Sequence, residues 1–171
     1  MKSQIKKMLL IFGALASTVP VTNAADGTIT FSGAIHIAPC SIKPESADQT
    51  VQLGSLAQHK LASGGKSESR PVLIELEGCN LSSLEDKTVT TTFTAAPSDV
   101  VPGAIGTTGG VGIMMTHGGR PIVLGTPTAA RLLAAGDNNT LEFGAYVQGQ
   151  ATGAIVPGEF SAVTNFTLAY Q

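Results

Sequence analysis

Few residues in this chain have the types and spacing that chemistry needs. Cys40 and Cys79 are its only thiols. Gly65-Lys66-Ser67 has the ending of a phosphate-binding loop, but Lys60 stands where G-x-x-x-x-G-K-S needs its first Gly. Gly109-Gly110-Val111-Gly112 lacks the third Gly and the following helix of a dinucleotide fingerprint. His36, His59 and His117 are far apart, and none has a His or Cys at metal-ligand spacing. No G-x-S-x-G marks a serine hydrolase. Glu75 and Glu77 share one face of a strand, which suits a solvated face better than a glycosidase pair. Three Asn-x-Ser/Thr triplets, at Asn80, Asn138 and Asn165, matter only in a eukaryotic secretory route. The expectation is a protein with no catalytic residues, no metal site and no cofactor.

The elements around these residues are β-strands behind an export signal. The chain has 171 residues, 43% hydrophobic and 13% charged, with 20 Gly and no Trp. That hydrophobicity is too high for a disordered chain, and a formal charge of −2 gives no basic face for nucleic acid. Lys2, Lys6 and Lys7 precede an apolar run, Met8 to Ala16, and a small-residue stretch ending Thr22-Asn23-Ala24. This is the pattern of a secretory signal peptide over residues 1–24, and the run is too short to span a bilayer. Removing it leaves seven basic and 12 acidic residues, a net of −5. Export to an oxidising compartment permits a Cys40–Cys79 disulfide, with two free buried thiols as the alternative. A loop of about 40 residues closed in this way is worth about 4 kcal/mol at most.

Alternation runs through the rest. Ile29 and Phe31; Val72, Ile74 and Leu76; Lys87 to Thr94; and Leu141 to Val147 all read as half-buried strands. Gly112–Met115 and Pro121–Leu124 are short apolar runs. The last stretch, 160–171, keeps Phe160, Ala162, Thr164, Phe166, Leu168 and Tyr170 on one side. Turn clusters such as Lys43-Pro44-Glu45-Ser46 and Gly136-Asp137-Asn138-Asn139 separate the runs. Short strands at this spacing predict a β-sandwich or barrel. The one helical candidate is Thr128–Ala135, where a turn or loop fits equally well.

The two ends of the chain after residue 24 carry a more specific signal. They read Ala25-Asp-Gly-Thr-Ile-Thr-Phe-Ser-Gly-Ala-Ile-His-Ile-Ala-Pro-Cys40-Ser-Ile42 and Phe166-Thr-Leu-Ala-Tyr170-Gln171. With Phe31-x-Gly33 ahead of Cys40 and the penultimate Tyr170, the chain resembles the pilin subunits of the chaperone–usher pathway, the type 1 and P-pilus group. Residues 43–70 and 95–135 match that group only in character.

The resemblance implies an all-β fold: an incomplete immunoglobulin-like sandwich lacking its seventh strand, over residues 36–171, with a donor-strand extension at 25–35. Inserted donor positions would be Gly27, Ile29, Phe31, Gly33 and Ile35. Alternation alone favours reading residues 27–35 as the first strand of an ordinary sandwich; the resemblance reverses this, because the first strand of the domain would then be the one carrying Cys40. The acceptor strand would carry Phe160, Ala162, Thr164, Phe166, Leu168 and Tyr170, with the carboxylate of Gln171 held by basic residues of a chaperone. A chain ending inside a strand fits such docking.

The implied partners are a periplasmic chaperone, an outer-membrane usher and neighbouring pilin subunits, with no nucleic acid. The implied role is a structural subunit of a surface fimbria supporting adhesion, polymerised by donor-strand exchange. An adaptor or carbohydrate-binding adhesin of the same pathway is the alternative. A chain of this length leaves no room for an additional lectin domain.

Overall fold

A computed structural model describes residues 28–31, 33 and 38–171. The expected signal segment 1–24, the inward positions Gly27 and Ile35, and His36 lie outside the described residues. Residues 1–35 and 36–171 form two separate units.

The second unit is a two-sheet sandwich. In chain order its strands are β1 (Ser41–Ile42), β2 (Arg70–Glu77), β3 (Thr88–Thr94), β4 (Ile105–Gly106) and β5 (Val111–His117). They continue with β6 (Arg120–Pro121), β7 (Arg131–Leu132), β8 (Asn139–Gly149) and β9 (Asn165–Tyr170). One sheet has the order β1-β2-β8-β5-β4, with β6 on β5. The other has the order β7-β3-β9, and every described pairing is antiparallel.

Period-two patterning selects which residues enter the core. Val72, Ile74 and Leu76 of β2 are buried, and so are Leu141, Phe143, Ala145 and Val147 of β8. Val89, Thr91 and Phe93 of β3 face them from the other sheet. Phe93 meets Phe143 edge-on, ring centroids 4.8 Å apart, a favoured aromatic geometry that ties the two sheets together. Fully burying side chains of this size contributes about 1.5–3 kcal/mol each.

Cys40 and Cys79 are bonded and buried. The bridge sits beside the β1–β2 pairing, Ser41 opposite Glu77, so it fastens the edge strand to its neighbour. Asn139 completes this end. Its amide donates to the Ala134 carbonyl and to Cys79 Sγ, while its Oδ1 accepts from the Ala134 N–H.

Three expectations are corrected. Residues 128–135 contain no helix: Arg131 and Leu132 pair with β3 as β7, and Leu133 N–H donates to the Lys87 carbonyl. The pull of β3's open edge outweighs the helix preference of a short Ala-rich run. The expected turn at 43–46 contains a single helical turn, α1 (Pro44–Ala47), started by Pro at its first position. In the 121–124 run only Pro121 pairs, within β6, and Ile122–Leu124 lie outside any strand. A second short helix, α2 (Gln58–Leu61), and a 3-10 turn (Ala62–Gly64) carry no pattern that the sequence reveals.

Candidate functional site: an open groove beside the last strand

The order β1-β2-β8-β5 against β3-β9 is the ABED and CF arrangement of an immunoglobulin-like sandwich, with β9 in the place of strand F. The seventh strand, G, belongs on the outer side of β9. Among the described residues no strand pairs there.

The backbone of β9 shows what that omission leaves open. Thr88 and Gln171 exchange both backbone hydrogen bonds, at 2.9 and 3.0 Å. Antiparallel alternation then puts Ala169, Thr167 and Asn165 in bonded pairs with Thr90, Thr92 and Thr94. It leaves the N–H and C=O groups of Phe166, Leu168 and Tyr170 pointing away from β3, toward the vacant edge. The same three residues turn their side chains toward the core and are only half-buried.

This half-burial extends upstream. Phe160, Ala162 and Thr164 are also half-buried, and Ser161, Val163 and Asn165 are exposed. The expected acceptor face is therefore one continuous side of the chain. The ladder itself begins only at Asn165, so residues 160–164 run beside the groove without a paired neighbour. Gln171, the remaining expected acceptor residue, is exposed at the end of β9.

Between the sheets lies a groove of roughly 1430 Å³. Its floor includes Val72, Phe93, Ile113, Met115 and Ala145. Phe160, Ala162 and Phe166 line one wall. The other wall is the extended stretch 48–56, where Val51, Leu53 and Leu56 turn inward.

The sequence reading missed that second wall, because 43–66 has little sustained alternation. Long-range bonds hold it instead. Ser46 Oγ accepts from the Glu75 N–H, Gln49 donates to the Leu73 carbonyl, and Gln58 donates to the Ile155 carbonyl. The faint signal is the Val51-x-Leu53 alternation.

The expected donor positions are partly described. Ile29 is 79% exposed and Phe31 is 90% exposed. Two large apolar side chains two residues apart, both in solvent, are unusual for a first strand of a closed sandwich. Gly33 is exposed, and a Cβ added there would meet nothing within 4 Å.

The remaining chemistry is modest. Lys43 Nζ donates to Glu75 at 3.2 Å, and that hydrogen bond raises the lysine pKa. Burial raises the pKa of the Tyr170 phenol. Among the described residues no cluster of His, Cys, Asp or Glu could hold a metal. No helix among them is long and apolar enough to cross a membrane.

A family model described as Fimbrial protein matches residues 29–171. The chain belongs to the Fimbrial protein family. It is 47% identical to the Fimbria A protein of Serratia marcescens, over 98% of this chain and 99% of that one. It is 41% identical to the Major MR/P fimbria protein of Proteus mirabilis, over 98% and 99% respectively. Among solved structures, it is similar to the P pilus rod subunit PapA, with a TM-score of 0.72 and 32% identity, covering 78% of this chain and all of that one. A subunit of a chaperone–usher pilus whose structure addresses rod uncoiling gives a TM-score of 0.74 at 34% identity, covering 91% of this chain and all of that one.

The chain is thus a chaperone–usher pilin with an incomplete immunoglobulin-like fold. It is a structural subunit of a surface fimbria and not an enzyme. For such a pilin the vacant edge of β9 is the place where the fold is unfinished.

Proposed function

We propose that this pilin is a major rod-type subunit that polymerises by donor-strand exchange, with residues 27–35 of one copy entering the groove of the next. The observation that carries this is the vacant β9 edge, where Phe166, Leu168 and Tyr170 offer unpaired backbone and half-covered side chains together. A nine-residue donor spans about 26 Å at about 3.3 Å per residue. The stretch 160–170 spans about 33 Å in the same terms, so the donor fits within it. Ile29, Phe31 and Ile35 would supply apolar bulk, and Gly27 and Gly33 would allow close backbone approach. Completing the sandwich satisfies a sheet edge that would otherwise invite aggregation. The rod assignment follows the names of the relatives, three of which are called major fimbrial or pilin proteins.

Residues 1–24 then act as the signal peptide that sends the chain to the periplasm. A periplasmic chaperone covers the groove first, with basic residues holding the Gln171 carboxylate, and an outer-membrane usher receives the complex. The energy for growth is folding energy withheld until a donor arrives, so no nucleotide is consumed.

The test is deletion of residues 25–35 in the exported protein. The truncated subunit should still be recovered folded on the chaperone and should cap fibres without extending them. Loss of chaperone-bound folding would assign residues 27–35 to the subunit's own sandwich.

A further inference from the structure

The disulfide lies only one residue beneath the surface. Cys40 is 4% exposed and Cys79 6%, while Gly78, Asn80 and the loop residues Ala134 to Asn138 are exposed. That loop is tied over Cys79. Cys79 and Gly136 exchange both backbone hydrogen bonds, at 3.1 and 3.0 Å, and Asp137 Oδ1 accepts from the Gly78 N–H. Asn139 is buried behind the loop. Its amide donates to the Ala134 carbonyl at 2.7 Å, and its Oδ1 accepts from the Ala134 N–H at 2.8 Å. The same amide nitrogen lies 3.3 Å from Cys79 Sγ, a weak acceptor. Asn139 also lines a cavity of about 220 Å³, which neither cysteine reaches. The cavity's other polar side chains are Arg131, Asn138 and Thr140. Arg131 is exposed and forms no ion pair among the described residues. Asn139 touches both the cavity and the sulfur, so it is the side chain that separates them.

We propose that this cavity is the entry by which a small anionic thiol reaches the disulfide of the folded subunit, that Cys79 Sγ is the atom it attacks, and that Asn139 bars the way. The incoming thiolate forms a bond to Cys79 Sγ and the Sγ–Sγ bond breaks. Its electron pair leaves on Cys40 Sγ, which then takes a proton from water. The product is a mixed disulfide on Cys79. The rate of such an exchange depends on access to the sulfur as well as on the attacking thiol. Entry here requires Asn139 to give up both of its bonds to Ala134, so exchange on the intact subunit is slow. The uncompensated charge of Arg131 favours a negatively charged thiol over a positive one. Asp137, the acidic group of the same loop, is already engaged by the Gly78 N–H.

The test follows reduction of the exported chain in isolated fibres by mercaptoethanesulfonate, an anionic thiol, and by cysteamine, a cationic one. Alkylation and mass spectrometry locate the first mixed disulfide. In the parent chain that adduct should sit on Cys79, and Arg131→Gln should slow the anionic thiol relative to the cationic one. Asn139→Ala and the milder Asn139→Ser open the passage. Both should be reduced about ten-fold or more faster, since moving Asn139 aside costs two hydrogen bonds and these variants have little to move. Their rates should be first order in thiol and insensitive to dilute urea, as direct attack on the folded subunit requires. Asn139→Leu has nearly the shape of Asn and none of its hydrogen bonds, so it separates blocking from stabilising. Its reduction without urea should stay close to the parent's. An adduct on Cys40 in the parent chain would overturn the proposal. Equal acceleration by Ala and Leu would overturn it too, because Asn139 would then act through stability alone. So would Ala and Ser variants reduced no faster than the parent. Where a variant at 139 does not fold, the parent adduct and the Arg131→Gln comparison decide the matter.

Discussion

Phe93 and Phe166 face each other across the β3–β9 pairing, with ring centroids 6.3 Å apart, yet only Phe93 is fully buried. Phe93 has Phe143 over it from the opposite sheet. Phe166 has the groove on its free side. The core therefore stops one strand short, at the half-covered ring of Phe166.

Phe166→Ala should weaken the subunit, chiefly once a donor is bound. Removing a fully buried Phe typically costs about 3–5 kcal/mol. With half that burial the bare subunit should lose about 2 kcal/mol, rising toward the full value when the groove is filled. Denaturant midpoints with and without a peptide of residues 25–35 measure both numbers. Equal losses in the two states would show that the ring does not touch the donor.

Cys40→Ser with Cys79→Ser should lower stability by up to about 4 kcal/mol, from the loop the bridge closes. The bridge joins β1 to β2, and the wall at 48–56 follows directly from β1 through α1. Recovered chaperone complex should therefore fall sharply in the double variant. Unchanged yield and melting temperature would contradict that role.

Gly33→Asn should spare folding and stop donation. A larger side chain in a tight groove typically costs about 1–3 kcal/mol. The clash arises only between subunits, so chaperone-bound yield should match the parent while fibre length drops. Full-length fibres from this variant would show that Gly33 enters no close-fitting site.

Stability should fall as pH rises through 10 and beyond. Burial raises the Tyr170 pKa in the folded state, so the unfolded chain loses its phenol proton first. The stabilising contribution is complete below the unfolded value near 10 and disappears above the folded one. Tyr170→Phe should flatten this decline in a melting-temperature series from pH 8 to 11.5. An identical slope in the variant would remove Tyr170 as its source.

Much of this architecture was legible from side-chain alternation alone. The buried sets of β2, β3 and β8 are every second residue, and the half-buried set from Phe160 to Tyr170 matches the alternation read from the sequence. What stayed hidden is held by partners distant in the chain. Arg131 and Leu132 are extended because β3 has an edge to offer, which overrides a weak helical preference. The groove wall at 48–56 depends on bonds to Leu73, Glu75 and Ile155, which no local pattern announces. Gly149 is another such contact, since a Cβ there would fall on the Leu61 carbonyl oxygen where the α2 turn crosses β8.

The most direct measurement of the central claim is calorimetry of the subunit lacking residues 1–35, with and without a synthetic peptide of residues 25–35. A vacant β9 edge predicts 1:1 binding and a large rise in melting temperature. The same peptide with Phe31→Asp should give neither. A truncated subunit that is fully stable alone and indifferent to the peptide would mean that its sandwich is already complete, and donor-strand exchange at this groove would be wrong.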